Sequence, residues 1–153
     1  MITEDYVSFE IAKLLKEKGF DSDEVGCNGG FYSERCYQSG YGVKTQSGQE
    51  VGIVYDDLTN SDLDYDEYLR PTLQMAMKWL REVHKLVICA EIGNENYTGN
   101  TDYSNPDIWY WFFDITNEKG VVIDTESDFV LNEYTTYEEA CEAGIKYCLE
   151  NLI

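Results

Sequence analysis

Hydrophobic positions along this chain change period several times, and each change marks an element. Val7, Ile11, Leu14 and Leu15 recur at helical spacing, which predicts a first helix over Thr3–Lys18. Thr3 can cap it, Glu4 and Asp5 suit the positive end of its dipole, and Lys13, Lys16 and Lys18 suit the other end. Gly19 is a natural stop, with Phe20 returning to the core. From Phe31 the pattern becomes short aromatic and polar runs. FYSERCYQ and EVGIVYD read as two strands joined through the glycine-rich SGYGVKTQSGQ. Asp56–Glu67, DDLTNSDLDYDE, reads as a solvated linker. Helical spacing resumes in PTLQMAMKWLREVHK, where Pro71 suits a first helical position. LVICAEI, Leu86–Ile92, follows as a strand almost without a loop, and Gly93–Asp107 is a long polar connection.

The most hydrophobic strand is Ile108–Thr116, IWYWFFDIT. Trp109, Trp111, Phe113 and Ile115 alternate with Ile108, Tyr110 and Phe112, so both faces are apolar until the last residues. Asn117–Gly120 reads as a four-residue turn, Val121–Thr125 pairs back, and Phe129–Tyr134 can add an edge segment. The last helix carries a capping box, Thr136 with Glu139. It has a broad apolar face including Tyr137, Ala140, Cys141, Gly144, Ile145, Cys148, Leu149 and Leu152. Small Ala140 and Gly144 are expected to let that helix come close to the sheet. The expected fold is a single α+β domain over residues 1–153. Its antiparallel sheet of about 4–6 strands has the aromatic strand near its middle and three helices packed mainly on one face.

Charge alters this picture more than composition does. The formal net charge is −19, and between Leu86 and Ile145 Lys119 is the only basic residue against 13 acids. Direct binding to phosphate backbones needs clustered Lys and Arg, so nucleic acid and acidic membrane surfaces are disfavoured as direct partners. Such a field attracts basic proteins or cations. No apolar run reaches the length of a membrane span, and MITEDYVSFE lacks the features of a signal peptide. A cytoplasmic location is therefore expected, with Cys27, Cys36, Cys89, Cys141 and Cys148 as free thiols.

Candidate chemistry is sparse. Asp62, Asp64 and Asp66 alternate as at the start of a calcium loop, but Glu67 stands where glycine is needed and Leu73 where the closing Glu belongs. Gly40, Gly42 and Gly48 match neither a dinucleotide fingerprint nor a P-loop. His84 is the only histidine and has no Ser or Cys neighbour in a catalytic spacing. No CxxC or HxxxH suggests zinc, and no cofactor, metal or catalytic residue is assigned.

Three blocks carry a resemblance: MITEDYVSFEIAKLLKEKGF, YLRPTLQMAMKWLREVHKL and TYEEACEAGIKYCLENLI. They resemble a family of small uncharacterised proteins from Bacteroides-type gut bacteria and their phages or mobile elements. The resemblance implies a helical frame presenting variable inserts and brings no activity, cofactor or catalytic residue with it. A frame with tyrosine-rich acidic inserts fits a protein–protein interaction module, because tyrosine offers rigid contact area at little entropic cost. The residues expected to form the interaction surface are Tyr32, Tyr37, Tyr41, Tyr97, Tyr103, Trp109 and Trp111. If the helices cover one sheet face, either the Trp109–Trp111–Phe113 set or the Tyr110–Phe112 set faces outward. The expected partner is a protein, basic in character, with self-association as another outcome. Two alternatives remain: a DNA mimic that blocks a basic DNA-binding protein, and an enzyme with a carboxylate or His84 site.

Overall fold

A computed structural model describes residues 4–21, 30–33, 42–44, 50–52, 63–94, 109–125 and 134–153 of the chain. Residues 5–7, expected inside the first helix, are instead extended. The Val7 amide donates to the Pro71 carbonyl at 3.0 Å and the Leu73 amide to the Asp5 carbonyl at 2.9 Å. This pairing satisfies backbone groups ahead of two helices at once and buries Val7 completely. It outcompetes a helical start at Thr3. The first helix, α1, therefore runs over Phe9–Glu17 with Ser8 as its cap. Its end follows the sequence: Gly19, at φ +86°, donates to the Lys16 carbonyl, and the Phe20 amide reaches back to Leu15. That is the paired closure a left-handed glycine permits, and it turns Phe20 into the core edge-on against Trp79.

Strands β1 (Phe31–Ser33), β2 (Gly42–Lys44), β3 (Glu50–Gly52) and β4 (Glu67–Leu69) form one antiparallel sheet in the order β2-β3-β1-β4. The expected pairing of the Phe31 and Glu50 strands holds, with Tyr32 opposite Val51. Two of these strands depart from the expectation. β2 lies within the glycine-rich connection, and β4 lies at the end of the acidic segment expected to be a linker. There the Glu67 amide donates to the Asp64 carbonyl and the Glu67 carboxylate accepts from the Asp64 amide, closing a turn into β4.

The second helix, α2, spans Leu73–His84 and is capped by Thr72, so Pro71 precedes the cap instead of opening the helix. A single residue, Lys85 at φ +60°, joins it to β5 (Leu86–Asn94). β5 pairs along its whole length with β6 (Trp109–Asn117), and β7 (Val122–Thr125) pairs with the other edge of β6. Beyond β7 on that edge, Trp111 and Tyr134 exchange backbone hydrogen bonds of 2.8 and 2.9 Å. Tyr134 is thus the one described residue of the edge segment expected over Phe129–Tyr134.

The last helix, α3, spans Tyr137–Asn151. Thr136 accepts from the Glu139 amide as expected, but the Glu139 carboxylate turns back one residue further, to the amide and hydroxyl of Thr135. Those bonds, the hydroxyl first, hold its carboxyl below the usual glutamate range. α3 packs on β5 and β6, and a Cβ on Gly144 would stand 2.8 Å from Ile88 Cγ2. The expected close approach is therefore real.

Among the described residues the fold is α+β with three helices and antiparallel sheets, but the strands form two sheets, β2-β3-β1-β4 and β5-β6-β7, where one was expected. The helices divide accordingly. α3 and α2 meet the β5–β6 layer, while α1 packs against α3 and β4. Between them lies the core of Ile11, Leu15, Phe20, Leu69, Trp79, Leu80, Ile88, Ile115, Ile145 and Leu149. Each such side chain contributes about 1.5–3 kcal/mol on burial before entropy is charged against it.

Candidate functional site

The β5–β6 register decides which aromatic residues face where. Opposed residues of an antiparallel pair share a face. Ile88 opposite Ile115 and Ala90 opposite Phe113 therefore point to α3, and Trp111 shares their parity. The other face carries Val87 opposite Thr116, Cys89 opposite Asp114, Glu91 opposite Phe112 and Gly93 opposite Tyr110. Of the two arrangements open from sequence, the Tyr110–Phe112 set is the one turned away from α3. Both rings are half-buried, Asp114 is half-buried and Glu91 is exposed. Missing a Cβ, Gly93 leaves room for the Tyr110 ring: a Cβ there would stand 3.0 Å from ring atoms Cε2 and Cζ. The ring thus lies across β5, with Phe112 beside it at 6.2 Å between centroids.

The residues expected to form the surface fare differently. Tyr32 is only 5% exposed and its hydroxyl donates to the Val7 carbonyl at 2.7 Å, so its ring belongs to the core and not to a docking surface. Burial pushes its phenol up, opposed by the Arg70 guanidinium. Trp111 is half-buried on the α3 side, edge-on to Tyr137 at 5.4 Å. Trp109 is the first residue of β6, paired with Asn94. Tyr37, Tyr41, Tyr97 and Tyr103 lie outside the described residues. Tyr110 and Phe112 were visible as an alternative. Glu91 was not, because only the hairpin register sets it beside Phe112.

A second cluster joins α1 to β4. Lys13 Nζ stands 5.4 Å from the Phe9 ring centroid and 5.5 Å from that of Tyr68. Lys16 Nζ stands 5.3 Å from the Tyr68 centroid and donates to the Asp64 and Glu67 carbonyls. The Arg70 guanidinium lies 3.9 Å from the centre of the Tyr6 ring. These cations are engaged by rings and carbonyls within the fold, an arrangement suited to fastening α1 to the β4 sheet.

A shallow groove of about 290 Å³ runs between α1 and α3, lined by Ser8, Glu10, Ile11, Tyr134, Glu139, Glu142, Ala143 and Lys146. Its polar groups tie the helices together. Glu142 accepts from the Ser8 amide at 3.1 Å, and Lys146 pairs with Glu10 at 2.8 Å, which holds the ammonium above the usual lysine range.

His84 ends α2 with its ring 4.6 Å from that of Trp79. Cys89, Cys141 and Cys148 are free thiols, and Cys27 and Cys36 lie outside the described residues. Burial pushes the Cys141 thiol up, away from the reactive thiolate. Among the described residues no group of three or more His, Cys, Asp or Glu gathers as metal ligands, and no helix is long and apolar enough to cross a membrane. Asp64 is exposed and Asp66 buried at the turn into β4, while Asp62 falls outside the described residues. Compared with known proteins, the chain matches no family model, no curated protein sequence and no solved structure.

Proposed function

We propose that this chain is an acidic protein–protein interaction module that receives its partner on the Tyr110–Phe112 face of the β5–β6–β7 sheet. One observation carries the reading: two neighbouring aromatic rings lie on the sheet face turned away from α3. Amphipathic aromatic side chains on a rigid sheet give contact area at little entropic cost. The lopsided net charge of −19 favours a basic partner through steering and complementarity. A mobile-element origin, implied by the resemblance of the three helical blocks, would make that partner a host protein.

Capture from native host extract with wild type and Phe112→Ser tests the reading, with circular dichroism confirming that the variant is folded. A partner retained by wild type and by Glu4→Gln but lost from Phe112→Ser supports it. Equal retention by all three refutes it. The charge asymmetry also supports the narrower reading of a DNA mimic. On that reading the captured protein binds DNA, and added duplex DNA displaces it.

A further inference from the structure

We infer that the outer sheet face recognises arginine side chains of a basic protein segment, in preference to lysine. This rests on the docking surface proposed above and adds the chemistry of what it takes. The register sets Glu91 opposite Phe112, with Tyr110 and Asp114 two residues to either side along β6. Glu91 and Asp114 are therefore diagonal neighbours across the strand pair, roughly 7–8 Å apart at the backbone. An aromatic ring stands in register with one carboxylate and two residues from the other.

A guanidinium is planar and weakly hydrated. It can lie flat on a ring while its N–H fork makes two parallel bonds to a carboxylate, a bidentate geometry that a compact, strongly hydrated ammonium lacks. The Tyr110 ring is set for the first contact, since Gly93 lets it lie across the sheet instead of standing off it. The stretch of chain that forms this sheet is poor in cations: between Leu86 and Ile145 Lys119 is the only basic residue, against 13 acids. Complementary charge thus selects a basic occupant. The rings select among basic side chains. A second copy of this chain, at net charge −19, is the poorest occupant.

Titration calorimetry at about 150 mM salt, where diffuse electrostatics are screened, tests this with two synthetic peptides identical except for Arg or Lys at alternate positions. The Arg peptide should bind wild type at least about threefold more tightly, the size of one exposed cation–π contact. Phe112→Leu and Gly93→Ala should each bring the Arg-to-Lys ratio toward one, the first by removing the π face and the second by lifting the Tyr110 ring. Glu138→Gln, at the exposed start of α3, should weaken both peptides alike and leave the ratio unchanged. Backbone amide NMR shifts then separate the two claims. Equal binding of both peptides with shifts confined to β5 and β6 overturns arginine selection and leaves the docking surface standing. Binding with no shifts there, or no binding of either peptide, overturns both. A ratio that survives Phe112→Leu and Gly93→Ala also overturns the inference.

Discussion

The Tyr32 hydroxyl and the Val7 carbonyl are far apart in sequence and 2.7 Å apart in the fold, linking β1 to the chain entering α1. Nothing in the run FYSERCYQ announces this. A tyrosine in a polar, glycine-flanked stretch resembles a surface residue until a buried carbonyl is known to await it. Tyr32→Phe keeps the ring but leaves that acceptor without its donor, so it should cost about 1–3 kcal/mol in denaturant unfolding with an unchanged m-value. Tyr32 also has a sign in pH. Its folded phenol is raised, so its contribution is present below the ordinary tyrosine range and is lost as pH rises past it. The alkaline loss of stability should therefore be shallower in Tyr32→Phe than in wild type. Glu139 has the opposite sign. Its carboxyl is lowered by Thr135, so its stabilisation is present above the ordinary glutamate range and disappears on acidification. Thermal melts of Glu139→Ala and wild type should differ at pH 7 and converge at low pH.

Legibility tracks element length. The aromatic strand, the strand after α2 and the turn at Asn117–Gly120 all lie where period and turn chemistry put them, because each carries its own repeated signal. The strands of the other sheet are three residues long, too short for any periodicity, and their pairing is fixed by partners elsewhere in the chain. The sequence pattern alone therefore reads β2 as part of a connection and the start of β4 as part of a linker. The true start of α1 was hidden for the same reason: residues 5–7 are held by residues 71–73. The outward parity of Tyr110 and Phe112 could be narrowed to two choices, but α3 decided between them. α3 rests on the sheet at Gly144, where Ile88 Cγ2 and the Phe113 ring occupy the space of a Cβ. Gly144→Ala gains about 1 kcal/mol of helix propensity and loses more to overpacking, for a net destabilisation of about 1–2 kcal/mol. The same substitution should cost less in an Ile88→Ala background, because the clashing methyl is gone. Denaturant unfolding of the four proteins in this cycle gives the coupling, expected at about 0.5–3 kcal/mol. A coupling of zero would mean that α3 does not press on Ile88.

The helices converge at their N-terminal ends. The Ser8 amide donates to Glu142 of α3, Asp5 and Val7 ahead of α1 pair with Leu73 and Pro71 at the start of α2, and Gln74 of α2 reaches Tyr137 of α3. The positive ends of their dipoles therefore gather in one region. On charge count alone, a chain with 30 acids and 11 Lys or Arg gains from losing any acid. This arrangement divides the acids into two classes. Glu142 and Glu139 accept backbone amides at these ends and offset dipole charge, so they stabilise. Glu91, on the outer sheet, has no described contact of that kind and adds to self-repulsion. Glu142→Ala should therefore lower stability by about 1 kcal/mol, the usual cost of losing a cap acceptor, whereas Glu91→Gln should stay within about 0.5 kcal/mol of wild type. Salt separates the classes further. Raising ionic strength from about 10 to about 150 mM shortens the Debye length from roughly 30 to 8 Å, which removes long-range repulsion before it touches hydrogen-bonded contacts. The melting temperature of wild type should rise over that range, and that of Glu91→Gln should rise less because part of its repulsion is already gone. The deficit of Glu142→Ala should persist at the higher salt, since a lost amide acceptor cannot be supplied by screening. If the melting temperature instead falls with salt, attraction among these charges outweighs repulsion. The acidic surface would then hold the fold together and would not stand free for a basic partner.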